Sequence, residues 1–280
     1  MQSDQVLIAV VLLTVSLAAV SFYAVSQRAR HKQDGIFRSW PVPKVNPEEI
    51  DLRFATGPLG PGLETEIRFI AGYRVVGGIT DYETWILCNL AKEAQNIFEF
   101  GTCTGKTTYL LACNAPAGAK ITTLTLPPEE TSTLEGGPAD DQKAVAAAKQ
   151  ESCFAEFFYS RQPERAKIDQ LFGDSKSFDE SPYEGRCDLV FVDGAHAYSF
   201  VKSDSEKALR MVRPGGLVLW HDYHGPRRAK GVFRALNELA RELPLRRIKG
   251  TSLVLYHRPE EPVEGDGAPG ALVPLTTTVS

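Results

Sequence analysis

The chain has 280 residues, 43% of them apolar, enough to bury one sizeable core in one or two domains. Its formal net charge of −4 argues against a nucleic-acid backbone as the main partner. The cysteines (Cys88, Cys103, Cys113, Cys153 and Cys187) are odd in number and scattered, without a C-x-x-C pair. That pattern is neither a disulfide framework nor a zinc site, and it fits a reducing compartment.

After a short N-terminal end (1–5), residues 6–26 form an uncharged run interrupted only by Thr14, Ser16, Ser21 and Ser26. At ~1.5 Å per residue a helix over this run matches the hydrocarbon thickness of a bilayer, which predicts a transmembrane helix. A signal peptide is the competing reading, but there is no basic n-region and no small-x-small cleavage site. Arg28, Arg30, His31 and Lys32 follow the run, whereas only Asp4 precedes it. The positive-inside rule then places the soluble part on the cytoplasmic side.

Residues 27–77 read as a juxtamembrane linker and substrate-side segment, rich in proline and glycine. A folded domain is expected over 78–258. It opens with a capping box, Thr80-Asp81-Tyr82-Glu83, and a helix carrying Trp85, Ile86, Leu90 and Ala91. The first strand, Asn96–Phe100, runs into Gly101-Thr102-Cys103-Thr104-Gly105 and then a helix, with Lys106 expected to face solvent at its start. Further strands are expected at Ile121–Leu126, Ile168–Phe172, Asp188–Val192 and Leu217–Trp220. An alanine-rich helix, a helix through Val201–Met211 and a helix at Val232–Leu243 lie between or after them. A hairpin closes the domain, Leu245–Ile248 and Ser252–His257 joined around Gly250. Alternating strands and helices predict an α/β fold, a doubly wound, mostly parallel seven-stranded sheet with an antiparallel terminal hairpin. The tail, 259–280, lacks core-forming periodicity and reads as disordered.

In a parallel sheet the polar residues that end the strands meet along one edge, where ligands bind. Here these are Glu99, Asp174, Asp193, His196, His221 and Asp222. Gly101 and Gly105 permit a sharp turn and a close backbone approach. Gly-Thr-Cys-Thr-Gly-Lys-Thr also looks like a phosphate-binding P-loop, with Asp188–Asp193 as its magnesium strand. A P-loop, however, needs four residues between its glycines, and here there are three.

The pair Asp193-Gly-Ala-His196-Ala-Tyr198 and Pro214-Gly-Gly…His221-Asp222-Tyr223, with Glu99-x-Gly101-x-x-x-Gly105, resembles the class I S-adenosylmethionine (SAM) dependent methyltransferases of family 24. That group is related to macrocin-type and catechol-type O-methyltransferases, and the resemblance spans about Thr80 to His257. It implies a Rossmann-like fold, SAM as cofactor, and an enzyme that methylates a hydroxyl of a small-molecule acceptor. It further implies that Glu99, Gly101, Thr102 and Gly105 hold the methionine part of SAM and that Asp174 and Ser175 meet the adenine. Asp193, also beside the cofactor, and Asp222 would ligate Mg2+ or another divalent cation, with His196 or His221 as catalytic base. Related enzymes end the second strand in an acid that binds the ribose. The matching position here is Thr125, leaving Glu129 or Glu130 to substitute. Thr125 keeps a second reading open, a degenerate, non-catalytic SAM-fold module; a P-loop-like nucleotide hydrolase is the third. The expected partners are the acceptor and a membrane, not nucleic acid, and the sequence is compatible with a homo-oligomer.

Overall fold

The computed structural model describes residues 2–31 and 40–260. The chain divides into two units, Met1–Pro41 and Val42–Ser280. In the first, α1 (Gln2–His31) is one continuous helix. Its stretch Asp4–Ser26 has a mean hydropathy of 2.5 and is long and apolar enough to cross a membrane. The tail expected to be disordered lies, from residue 261 on, outside the described residues.

The second unit is built on one mixed sheet. Its strands, in chain order, begin with β1 (Lys44–Val45) and a small separate hairpin, β2 (Thr56–Gly57) and β3 (Gly60–Pro61). There follow β4 (Asn96–Phe100), β5 (Lys120–Thr125), β6 (Ile168–Phe172) and β7 (Cys187–Val192). The last are β8 (Val212–Trp220), β9 (Arg246–Ile248) and β10 (Val254–His257). The spatial order is β1-β9-β10-β8-β7-β4-β5-β6. The five strands from β8 to β6 are parallel, and β10 is antiparallel to both β8 and β9, as expected for the hairpin. The sheet has eight strands rather than seven, because the segment read as linker adds β1, parallel to β9. Two residues carry no periodicity, so only their distant partners Arg247 and Ile248 define that strand.

Helices cover both faces: α2 (Asp81–Ala91), α3 (Lys106–Asn114), α4 (Gln142–Glu151), α5 (Tyr198–Met211) and α6 (Lys230–Leu239). The capping box forms as expected, with Thr80 Oγ1 accepting from the Glu83 amide and the Glu83 carboxylate accepting from the Thr80 amide. Strand alternation sorts β4: Ile97 joins the main core with Ile86, Leu87, Leu111 and Phe191, whereas Phe98 and Phe100 pack with Phe178 on the other face. Sequence order reverses between β7 and β4, so a crevice opens at the carboxyl ends of those two strands.

Candidate active site

Register alone places the first residues of the site. Phe100 pairs with Val192, and Val192 with Trp220. The next residues continue the ladder: the Gly101 amide donates to Leu124 O (2.9 Å), Asp193 to Phe100 O (2.9 Å) and His221 to Val192 O (3.1 Å). Gly101, Asp193 and His221 therefore stand side by side at the switch point. The chain can pass here only without a side chain at 101. Gly101 has φ +100, and a Cβ on it would lie 2.2 Å from the Asp193 carbonyl oxygen.

Two clefts meet at this line. The first, of about 560 Å³, has apolar walls of Phe100, Leu124, Leu126, Leu134, Ala148 and Phe200. Its polar lining includes Thr125, Asp174, Ser175, Asp193, Asp204 and Glu151. The second, of about 500 Å³, is polar and lined by Thr102, Lys106, Thr107, His196, His221 and Asp222 among others. Gly101, Cys103, Glu151 and Asp193 border both.

The histidines and acids form one network. Asp222 Oδ2 accepts from His196 Nε2 at 2.7 Å, and its Oδ1 lies 2.9 Å from His224 Nε2. His221 Nδ1 lies between Asp193 (2.9 Å) and Asp222 (3.2 Å), while its Nε2 faces Glu83 at 3.5 Å. With carboxylates against both nitrogens, His221 is held as an imidazolium: despite burial its pKa is raised well above the usual histidine range. It has no free nitrogen to accept a proton, so its role is to hold the acids in place. His196 differs. Burial opposes its charge, but the Asp222 hydrogen bond wins and raises it to about 9. Helix α6 comes close enough to fix its backbone only because residue 231 is glycine, whose Cβ would lie 2.2 Å from His196 O. Asp193, His196 and Asp222 can each offer a ligand atom, all within 4.8 Å of one another.

Other expected residues sit elsewhere. Glu99, expected at the ligand, is 1% exposed and lines neither cleft. Its register partner is Thr123, and its carboxylate accepts from Thr123 (2.7 Å) and from Thr108 of α3. Burial pushes its pKa up to about 8. Because the folded value lies above the ordinary carboxylate range, the folded state keeps a proton that the unfolded state has released. Stability therefore falls as pH rises toward about 8. Glu99→Gln removes this titration and should gain roughly 1–3 kcal/mol relative to wild type between about pH 5 and pH 8. Thermal unfolding across that range checks it, and a pH-independent difference would mean Glu99 does not titrate there.

Gly105 also lines neither cleft. It is the left-handed N-cap of α3 (φ +73), packed where a Cβ would lie 2.6 Å from Tyr159. Lys106, expected in solvent, is 5% exposed on the wall of the polar cleft. Thr102 is buried and bonds Thr123 Oγ1 at 2.8 Å. Asp174 Oδ1 accepts from the Lys176 amide at 2.9 Å, a turn role beside its place in the apolar cleft. Thr125 does end β5 inside that cleft, but Glu129 and Glu130 are exposed and do not line it.

Two acids of the site had no motif to announce them, and a third was announced only as a helix cap. Glu151, the last residue of α4, borders both clefts, and burial raises its pKa. Asp204 is 2% exposed on the apolar cleft, with Oδ1 unpartnered and its pKa raised by burial to about 7. Glu83, recognised only as a cap, also accepts from the Ser252 amide (2.6 Å) and hydroxyl (2.7 Å).

Residues 98–223, from β4 to the end of the His221–Tyr223 loop, match the family model described as a methyltransferase domain. This stretch is a family-24 methyltransferase domain. No curated protein matches the chain. Similar solved structures include the O-methyltransferase TomG from Streptomyces achromogenes, in complex with SAM. It is 18% identical over 65% of this chain and 82% of that one, with a TM-score of 0.43. An O-methyltransferase from Bacillus cereus in complex with SAH is 17% identical over 65% and 83%, with a TM-score of 0.42. The SAH-bound methyltransferase PaMTH1 from Podospora anserina is 16% identical over 66% and 81%, with a TM-score of 0.45. The methyltransferase domain thus contains both clefts' shared border, Gly101, Cys103, Glu151 and Asp193.

Proposed function

We propose that the chain is a SAM-dependent O-methyltransferase acting on a small-molecule hydroxyl, held at a membrane by α1 with its domain on the cytoplasmic side. The observation that carries this reading is the pair of clefts joined at Gly101 and Asp193, one apolar and one built of acids and histidines. The apolar cleft suits a nucleoside: Asp204 Oδ1 is an unpartnered buried acceptor for an exocyclic amine. Glu151 brings to the shared border the carboxylate that Thr125 lacks, which counts against the degenerate reading.

The sulfonium is already a strong methyl donor, so the protein must align an acceptor oxygen with it and remove that oxygen's proton. The C–O bond forms as the C–S bond breaks, and the hydroxyl proton goes to Nδ1 of His196 in its neutral form, with Nε2–H donating to Asp222; with a pKa of about 9 that form, and with it the rate, grows as pH rises toward 9. Two carboxylates and an imidazole also fit a divalent cation, which would sit on Asp193, His196 and Asp222 and supply Lewis acidity toward the hydroxyl.

The test is calorimetric titration of the full-length protein in detergent with SAM and, separately, ATP. Micromolar SAM affinity without ATP binding is expected. Absence of SAM affinity would sink the proposal, and ATP binding alone would restore the P-loop alternative. Once an acceptor is found, loss of rate on chelation and recovery with magnesium would establish the cation; indifference to chelators would remove it.

A further inference from the structure

The rim of the polar cleft carries two exposed segments. One is the loop before α2, which holds no acid between Glu66 and Asp81 and whose Tyr73 and Val76 are 79% and 51% exposed. Arg74 places its guanidinium 5.2 Å from the Tyr73 ring, a cation stacked on an outward aromatic. The loop ends at Gly77 and Gly78, which line the cleft, and Val76 O accepts from Cys103 Sγ at the cleft border (3.6 Å).

The other segment is the turn from Gly225 to Lys230 that leads into α6. Arg227, Arg228 and Lys230 are exposed, and their side chains make no hydrogen bond or ion pair among the described residues. No acid lies between Asp222 and Glu238, in a chain whose net charge is −4. The next residue, Gly231, packs against the backbone of His196, which lines the same cleft.

Unpaired cations and outward apolar side chains have one surface that suits both. In the headgroup layer of an anionic bilayer, cations meet lipid phosphates while aromatic and apolar side chains enter the interface. Chain length favours that occupant. Only residues 32–39 separate α1 from Trp40, and fully extended they span at most about 26–29 Å. A bilayer that holds α1 is therefore presented to the domain at high effective concentration.

We propose that the rim carrying Tyr73, Arg74, Val76, Arg227, Arg228 and Lys230 docks on an anionic lipid surface, so that the polar cleft opens at the headgroup layer. This rests on the membrane reading of α1 for its tether and does not depend on methyl transfer.

The experiment places the full-length protein in nanodiscs of phosphatidylcholine, with and without about 30 mol% phosphatidylserine. Amide hydrogen exchange is read on peptides covering 67–78 and 224–230. The loop 116–119, at the amino end of β5 and so at the opposite edge of the sheet, is the internal control. Both rim peptides should exchange about threefold or more slowly in the anionic discs, and about 0.5 M salt should erase the difference. The control loop should not change. The triple variant Arg227→Glu, Arg228→Glu, Lys230→Glu, checked for folding by thermal unfolding, should lose the protection.

Equal exchange of both rim peptides in the two lipids overturns the docking, and so does protection that survives the charge reversal. Protection in phosphatidylcholine discs that grows with the number of chains per disc would assign the rim to a second copy and overturn it too. Should the triple variant not fold, the salt dependence of wild-type protection decides alone. Failure of the full-length protein to float with phosphatidylcholine vesicles would defeat the membrane reading of α1 instead. Flotation with phosphatidylserine vesicles then decides the rim: salt-sensitive binding lost on charge reversal supports it, and no binding overturns it.

Discussion

Asp222→Asn should lower methyl transfer by about 10²–10⁴-fold while leaving SAM affinity within about threefold of wild type. Among the described residues, Asp222 is the one carboxylate that three imidazoles share: His196 at 2.7 Å, His221 at 3.2 Å and His224 at 2.9 Å. Asparagine keeps the shape and tolerates the left-handed backbone, φ +61, that this position adopts. What it loses is the charge. One side-chain oxygen becomes an amide that donates, and facing His196 Nε2 it could no longer hold that nitrogen's proton. His196 would then lose both its orientation and the partner that raises its pKa to about 9. Removing one member of a buried charge network also costs stability, on the order of 3–5 kcal/mol. Activity must therefore be compared below the variant's own melting transition. The decisive comparison is kcat against the calorimetric Kd for SAM. A collapsed kcat with an intact Kd supports an acid–base role. A kcat within about threefold of wild type would mean that the network only holds the loop, and that the hydroxyl loses its proton elsewhere.

The sheet was legible because short runs carrying apolar residues stop at Gly or Asp: β4 and β6, each followed by a glycine, match their expected ends residue for residue. The residues converging at the carboxyl edge were legible for the same reason, since the switch point follows from strand order once β4 and β7 are recognised. What escaped was set by distant partners. Lys106 reads locally as a helix-start lysine in water, but Phe69 from another segment lies over it. Glu99 reads as an acid at a strand end, aimed at ligand. Strand alternation already turned it away from Phe98 and Phe100, and its parallel register to Thr123 was the available signal that a hydroxyl pair would hold it. Glu83 satisfied a local motif so completely that its reach to His221 and Ser252 had no separate trace. Glu151 and Asp204 lie on helices whose acids look like ordinary polar positions until the helices pack.

The consequence of that packing is greatest at Gly101. Gly101→Ala should abolish measurable SAM binding and destabilise the domain by roughly 2–6 kcal/mol, the sum of backbone strain and overpacking. The added Cβ would lie 2.2 Å from Asp193 O, 2.6 Å from its carbonyl carbon and 2.7 Å from Gly194 Cα. All three are backbone atoms, so no rotamer can move them aside. Nor can the strands part easily, because the Asp193 amide is bonded to Phe100 O at 2.9 Å and the Gly101 amide to Leu124 O at 2.9 Å. Relief requires β7 to separate from β4 at their ends, which moves Asp193 away from Gly101 and breaks the border shared by both clefts. Gly118→Ala is the matched control: its nearest neighbour would be Gln95 Oε1 at 3.9 Å, and it should stay within about 1 kcal/mol of wild type. Thermal unfolding and SAM titration of the pair separate the alternatives. If Gly101→Ala melts like Gly118→Ala and binds SAM normally, β4 and β7 do not meet as closely as described. If it folds but no longer binds, the glycine is required for the ligand's approach and not only for the turn.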